Sequence, residues 1–205
     1  MSHTATGGIW FLRHGEPTSY RDGGLTPVGR TQVAASAAAV AGSLAAGGPV
    51  TVHTSPARRC RQSARIAATV LRSGGVTVVG PVQAPALAMV RARLDGSLVD
   101  VGLARDRADG APGDELRAFW RDHADGLDPF DRWHTGAYAT FETPDEVADR
   151  VRAFLDALVP PAVVVSHSEI IRIAHEVLGV EPGGLPFGAA AAVTMPEPTS
   201  PGGPA

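Results

Sequence analysis

The stretch Ile9-Trp10-Phe11-Leu12-Arg13-His14 decides the predicted fold. Its apolar run, residues 9–12, stops at an arginine and a histidine. A short apolar run that ends in polar residues indicates a buried strand that delivers those residues at its carboxyl end. We therefore predict a strand over 9–12, with Arg13 and His14 at one edge of a sheet.

Similar apolar runs recur along the chain. Further strands are predicted at Val50 to His53, Val76 to Val79, Ala162 to Val165 and Ala189 to Met195. The run that ends at His53 leads into Ser55, and the run that ends at Val165 leads into Ser166 and His167. Three distant segments therefore carry polar side chains at strand ends.

Helix signals alternate with these strands. Thr26-Pro27 and Ser55-Pro56 each place a capping hydroxyl before a proline at the first helical position, and 143–146 forms a full capping box. The predicted helices run from these signals to about residues 44, 71 and 158, and another follows His167 to about 178. This alternation predicts an α/β three-layer sandwich, with a mainly parallel sheet and helices on both faces. Functional groups of such sheets collect beyond the carboxyl ends of the strands.

The stretch 80–140 is less regular. It contains Gly, Pro and Asp clusters, and one helix is predicted around 114–123. We expect a partly helical cap insertion that folds over the strand ends. The whole of 1–195 is interpreted as one domain, and the Pro/Gly-rich tail 196–205 is predicted to be disordered.

Composition excludes several classes of function. All 18 basic residues are arginine, so the chain has no Schiff-base lysine, pyridoxal-phosphate anchor or phosphate-loop lysine. A formal net charge of −3 gives no general attraction for nucleic acid or an anionic membrane. The expected partner is a small molecule.

Targeting signals and disulfides are not expected. Cys60 is the only cysteine, which precludes an intramolecular disulfide, and we interpret it as a structural thiol within a helix. The first eight residues lack the apolar core of a signal peptide, and no apolar run is long enough to span a bilayer. These features favour a cytoplasmic location.

The residues at the strand ends suit a phosphate ester, which carries about two negative charges near neutral pH. Arginine offers a planar fork of donors that matches phosphate oxygens. A neutral imidazole can attack phosphorus, and a second imidazole, if protonated, can stabilise the transferring oxygens. His14 and His167 suit these roles, and Arg59 is expected to point back from the next helix toward the same edge.

Four ordered segments resemble the signatures of the histidine phosphatase superfamily, the phosphoglycerate mutase-like proteins. They are Arg13-His14-Gly15-Glu16, Leu25-Thr26-Pro27-Val28-Gly29 with Gln32, Ser55-Pro56-Ala57-Arg58-Arg59 with Gln62, and Val165-Ser166-His167 with Ile171-Arg172.

The resemblance implies a role for each matched residue. His14 would be the nucleophile, and Arg13, Arg59 and His167 would complete the phosphate pocket. The backbone N–H of Ser168 would face the phosphate, and Glu16 is predicted to bind substrate. No metal or organic cofactor is implied.

The chain departs from the family pattern at the proton donor. The family has a glutamate shortly after its third strand, and Met89 stands at that place. A thioether cannot donate a proton, and a missing general acid costs roughly 10²–10⁴ in rate. Replacement acids are sought at Glu169, Asp95, Asp100 and Glu142, of which Glu169, two residues after His167, is the most specific.

Several of these residues also have structural interpretations. Ser166-x-x-Glu169 is a capping-box pattern, which favours a structural role for Glu169 over catalysis. Arg59 could instead be a solvent-exposed helix residue. We interpret its arginine neighbours and Arg172 as surface residues of this kind. Structural roles are also favoured for four other histidines: His53, His123, His134 and His175. Four aromatic residues are interpreted as a small core of the cap: Trp120, Phe130, Trp133 and Tyr138.

The predicted function is hydrolysis of a small phosphorylated metabolite through a phosphohistidine on His14. Two alternatives stay open: a phosphoglycerate-mutase-like phosphotransferase, and a phosphate-ligand binding protein whose turnover is impaired at Met89. The divergent 80–140 stretch favours a substrate of specialised metabolism.

Overall fold

The computed structural model describes residues 8–19, 23–44, 48–104, 110–125, 127–181 and 184–193. Its strands are β1 (Ile9–Arg13), β2 (Val50–Thr54), β3 (Val78–Gln83), β4 (Arg91–Leu94), β5 (Ser97–Asp100), β6 (Ala162–Ser166) and β7 (Ala190–Val193). Five of them form one sheet in the order β3-β2-β6-β1-β7, in which β7 is antiparallel to β1 and the other pairs are parallel. The mainly parallel sheet predicted from the sequence is confirmed.

Helices cover both faces of this sheet. They are α1 (Pro27–Leu44), α2 (Arg58–Ser73), α3 (Val101–Ala104), α4 (Gly110–Ala124), α5 (Pro129–His134), α6 (Pro144–Asp156) and α7 (Ser168–Val177). Successive side chains of a strand point to opposite faces, so Phe11 joins the apolar cluster under α6 and α7, while Leu12 joins the cluster under α1 and α2. Every residue of β6 is buried because this strand lies between β2 and β1.

Two helix starts follow the predicted capping chemistry. The Thr26 hydroxyl accepts a hydrogen bond from the Gly29 N–H (2.9 Å), and α1 begins at Pro27. Thr143 and Glu146 form the reciprocal capping box at the start of α6. No helix in the described ranges is both long and apolar enough to cross a membrane.

Two element boundaries differ from the prediction. The second helix begins at Arg58 rather than directly after Ser55. The Ser55 hydroxyl contacts His167 Nε2 (3.0 Å) and accepts the Ala57 N–H of the turn, so it caps no N–H of the helix. Strand β3 covers 78–83 rather than 76–79. Its pairing with β2 shifts register beside Gly80, whose φ of 91° suits glycine.

Two glycines let the loop after β1 pack directly on the start of α1. A Cβ on Gly15 would lie 2.1 Å from the Gly29 carbonyl oxygen, and a Cβ on Gly29 would lie 2.3 Å from the Glu16 carbonyl oxygen. Neither backbone could approach the other if a side chain intervened. This contact fixes the polypeptide directly after His14.

The 80–140 stretch holds a short 3₁₀ turn, the β4–β5 hairpin and helices α3 to α5. The helix predicted around 114–123 lies within α4, and its buried aromatic residues pack on the α6–α7 side of the sheet. The predicted disordered tail, 196–205, lies outside the described residues.

Candidate active site

A cavity of about 480 Å³ lies where β1 and β6 end. We call one set of its residues the pocket floor: Arg13, His14, Arg59, His167, Ser168 and Glu169. We call a second set the apolar wall: Met89, Phe119, Trp120, Leu127, Pro129, Phe130, Leu185 and Pro186. His123, Asp128 and Gly184 also line the cavity. The pocket floor alone joins residues 156 positions apart in sequence, from Arg13 to Glu169.

His14 is held as a neutral imidazole with a defined tautomer. Nδ1 lies 2.8 Å from the Gly15 carbonyl oxygen, which can only accept, so Nδ1 carries the proton. Nε2 accepts a hydrogen bond from Arg59 Nε (3.2 Å). Burial, followed by the charges of Arg59 and Arg13, lowers the pKa of His14 to about 3. Nε2 is therefore unprotonated at neutral pH and can attack once Arg59 Nε turns from it to a ligand oxygen.

His167 is the N-cap residue of α7 and is also neutral. Arg59 Nη2 donates to its Nδ1 (3.2 Å), so the ring proton resides on Nε2, which donates to the Ser55 hydroxyl (3.0 Å). Burial and the nearby Arg59 charge lower the pKa of His167 well below its usual value. The rings of His14 and His167 meet edge to face, with centroids 5.2 Å apart.

Arg59 joins the two imidazoles. Its Nε contacts His14 and its Nη2 contacts both His167 and the Met89 sulfur, the last at 3.1 Å. The side chain is only 3 % exposed, whereas its neighbour Arg58 is exposed. The structure thus places Arg59, and not Arg58, in the cavity.

Arg13 and Ser168 complete the positive side of the pocket floor. Arg13 Nη1 donates to the Leu185 carbonyl (2.7 Å), and its guanidinium carbon lies 4.0 Å from the centre of the Phe187 ring. Ser168 is the first residue of α7, where backbone N–H groups lack helical partners and the helix dipole favours an anion. Two cations and a helix start therefore face the same space.

Glu169 is the candidate acid that lies in the cavity. Its side chain is 5 % exposed, Oε2 accepts a hydrogen bond from the Ser168 hydroxyl (3.3 Å), and Oε1 has no hydrogen-bond partner. Burial raises the pKa of Glu169 to about 7. The capping-box interpretation is wrong, because Ser166 ends β6 and its hydroxyl donates to the Leu87 carbonyl (2.9 Å).

The other candidate acids are elsewhere. Glu142 is buried between Arg91 and Arg150, and Asp100 accepts the Gly102 N–H (2.8 Å). Asp95 is exposed in the turn between β4 and β5. Of the four, Glu169 alone is among the described residues that line the cavity.

Glu16, predicted to bind substrate, does not line the cavity. Its carboxylate accepts a hydrogen bond from the Thr26 hydroxyl (2.6 Å), and its N–H donates to Gln32 Oε1 (3.0 Å). Gln62 Oε1 similarly accepts the Leu25 N–H (2.7 Å). These motif residues fasten the loop after β1 to the helices instead of facing a ligand.

Most structural interpretations agree with the geometry. Cys60 is fully buried, and burial raises its pKa to about 12, so the thiol is unreactive. Arg172 pairs with Asp131 and Glu176. His53 packs edge-on against Phe154, and His175 is buried against Phe11.

The aromatic residues of the 80–140 stretch divide into two groups. Trp133 and Tyr138 are buried as a small core, whereas Trp120 and Phe130 also line the cavity, as does His123. Sequence reasoning missed Asp128, the segment 184–187 and the contact of Ser55 with His167. A Pro-Phe-Gly turn before the last strand was the available signal for 184–187. No cluster of metal-ligating side chains occurs within the described ranges.

Comparisons with known proteins agree with this geometry. Residues 9–79 match the model of the histidine phosphatase superfamily (branch 1). A search of curated proteins finds no match. Among solved structures, a mycobacterial glucosyl-3-phosphoglycerate phosphatase complexed with VO3 is similar, with a TM-score of 0.58 and 20% identity over 91% of this chain and 90% of that chain.

A phosphoglycerate mutase from Thermus thermophilus is also similar, with a TM-score of 0.53 and 23% identity over 92% of this chain and 94% of that chain. Both likenesses extend over the fold as a whole, beyond the matched residues 9–79. The match over residues 9–79 is therefore to the histidine phosphatase superfamily, and the likeness over the rest of the chain is one of fold.

Proposed function

We propose that the protein is a phosphomonoesterase that transfers the phosphoryl group of a small metabolite to His14 and then to water. The observation that carries the proposal is the fixed tautomer of His14. Its Nδ1–H is bound by the Gly15 carbonyl and its Nε2 lone pair lies between Arg59 and His167. The phosphatase and mutase activities named for similar structures support phosphoryl transfer as the reaction class.

In the first step, His14 Nε2 attacks phosphorus as the bond from phosphorus to the ester oxygen breaks. Arg13, Arg59 and the start of α7 offset the charge on the transferring oxygens. The bound dianion would also raise the pKa of His167, so this ring can take up a proton and add a further donor. The leaving oxygen takes the bonding electron pair and needs a proton.

Glu169 is the proposed source of that proton. It lines the cavity beside Ser168, and its pKa of about 7 leaves a useful fraction protonated at neutral pH. In the second step a water oxygen attacks phosphorus, the ionised Glu169 accepts the water proton, and the N–P bond breaks. The products are the alcohol, inorganic phosphate and the original His14.

We also propose the domain organisation that the sequence suggests. Residues 1–195 would form one domain, and the 80–140 stretch would be its cap. The cavity supports this view, because the 80–140 stretch supplies Phe119, Trp120 and Phe130 while the sheet edge supplies the pocket floor.

A phosphate-release assay with 4-nitrophenyl phosphate tests the function. We expect His14→Ala to lose at least about 10⁴-fold in kcat/KM, as is usual for loss of a nucleophile. His53→Ala is the matched control, since His53 lies on β2 and does not line the cavity. Brief incubation and denaturation in alkali should trap labelled phosphate on the wild type, and none on His14→Ala.

The same assay discriminates the alternatives. Isomerisation of a phosphoglycerate without phosphate release would favour a mutase. Tight binding of inorganic phosphate without turnover would favour a binding protein whose acid position is occupied by Met89. Equal activity of His14→Ala and wild type would overturn the proposal.

A further inference from the structure

The cavity is lined by two chemically different sets of side chains, which meet where Met89 contacts Arg59 and Leu185 contacts Arg13. The pocket floor offers arginine, imidazole and hydroxyl groups, whereas the apolar wall offers eight apolar side chains. Once the floor binds a phosphate group, the rest of the ester must lie against the remaining lining residues. The character of those residues therefore sets which esters fit.

The polar side-chain atoms of the apolar wall already make hydrogen bonds within the protein. The Trp120 indole N–H donates to the Val101 carbonyl (3.3 Å), and the Met89 sulfur accepts from Arg59. The surface that these two side chains can present to a ligand is therefore mainly carbon. A sugar-like ligand would lose hydrogen bonds to water without replacing them here.

The wall is held in shape by its own packing. Phe119 is buried and contacts four other aromatic rings with centroids 5.2 to 5.7 Å away: Trp120, Phe130, Tyr138 and Phe141. Aromatic side chains packed in this way form a preformed surface that binds flat apolar groups well.

Charge beyond the floor disfavours a second anion. Outside the pocket floor, the described lining residues include no arginine. They include one carboxylate, Asp128, at the start of α5. Asp128 Oδ1 accepts the Phe130 N–H (3.0 Å), so its carboxylate stays at this position. A carboxylate on the part of the ligand beyond the floor would meet the like charge of Asp128 and, among the described residues there, no guanidinium partner.

From this arrangement, and from the cavity volume of about 480 Å³, we infer that the substrate is the monophosphate of an apolar, uncharged alcohol or phenol with at least a bicyclic-sized carbon skeleton. The inference rests on the proposed phosphatase function and adds the substrate class. It also separates this protein from a mutase that acts on a phosphorylated sugar acid, whose carboxylate would face Asp128 when the phosphate occupies the floor.

Three phenolic esters test it with similar leaving groups: 2-naphthyl phosphate, phenyl phosphate and 4-carboxyphenyl phosphate. We expect kcat/KM for the naphthyl ester to exceed that for the phenyl ester by at least about tenfold, because the second ring buries additional apolar surface against the wall. The carboxyphenyl ester should be the poorest substrate, although its phenol is the best leaving group of the three.

Phe130→Ala and Phe154→Ala are matched variants, since both phenylalanines are half-buried against the same apolar cluster and only Phe130 lines the cavity. Phe130→Ala should lower kcat/KM for the naphthyl ester about tenfold and that for the phenyl ester much less. Phe154→Ala should change both equally or not at all.

Binding to His14→Ala, measured by calorimetry with the same three esters, separates this inference from the proposed function. If no ester is hydrolysed but the naphthyl ester binds tightest, the substrate class stands and the hydrolytic function fails. If hydrolysis occurs with equal kcat/KM for all three esters, or the carboxyphenyl ester is preferred, the substrate class is overturned while the function stands.

Discussion

The pocket floor and the apolar wall share one cavity but are held in place by different means. Backbone hydrogen bonds at a sheet edge fix the floor: the His14 N–H donates to Ser166 and the Gly188 N–H donates to the His14 carbonyl, both at 3.0 Å. The part of the wall that the 80–140 stretch supplies is held by ring packing. The comparison suggests that reaction chemistry and ligand choice can vary separately in this molecule.

The largest effect is expected when Arg59, which contacts both imidazoles of the pocket floor, is removed. Arg59→Ala should reduce kcat/KM by roughly 10³–10⁵-fold, because the transferring phosphoryl group loses a fixed positive charge and both imidazoles lose a hydrogen bond. Steady-state kinetics with 4-nitrophenyl phosphate measures this loss. The neighbouring variant Arg58→Ala should stay within about threefold of wild type, since its side chain is exposed. Equal losses in the two variants would contradict the geometry.

A smaller effect is expected at the acid. Glu169→Gln should lower kcat for propyl phosphate about 10²-fold, and much less for 4-nitrophenyl phosphate, whose leaving group needs no proton. Because Glu169 must be protonated to donate, wild-type activity on propyl phosphate should fall above pH 7, and the variant should lack this decline. Glu176→Gln, at an exposed position on the same helix, is the control. An unchanged pH profile in Glu169→Gln would remove Glu169 from the mechanism.

The smallest effect concerns stability. The folded-state pKa of His14 is lowered from 6.5 to about 3, so the unfolded chain takes up a proton first as the pH falls. The free energy of unfolding is therefore highest above pH 6.5 and falls as the pH drops below that value. At pH 5.5 the loss due to His14 alone is about 1 kcal/mol. Urea unfolding at pH 7.5 and 5.5 should show that His14→Gln loses less stability than wild type. Equal losses of stability in wild type and His14→Gln would contradict this expectation.

Sequence patterns predicted those parts of the fold that local signals determine. The start of α1 after Thr26 and the start of α6 after Thr143 depend on a hydroxyl and a proline within four residues. The apolar runs before His14 and His167 gave the two strands whose carboxyl ends meet. The family resemblance identified Arg59 over Arg58, and the structure brings Arg59 to that place.

Features set by distant contacts were not predictable in the same way. The Ser55 hydroxyl does not cap α2 from the expected position, because His167, 112 positions later, occupies it. Glu16 lies in a signature segment yet bonds to Thr26, since the close approach of Gly15 and Gly29 directs it there. Asp128 and Leu185 face the cavity because of loop packing that has no periodic signal.

The late segment 184–189 has a consequence for how the protein is made. Arg13 donates one hydrogen bond to Leu185 and another to Ala189, and the carbonyl of His14 is bound by Gly188. A ribosome releases the first strand long before these partners exist. The nascent chain therefore cannot complete the pocket floor until residue 189 has emerged.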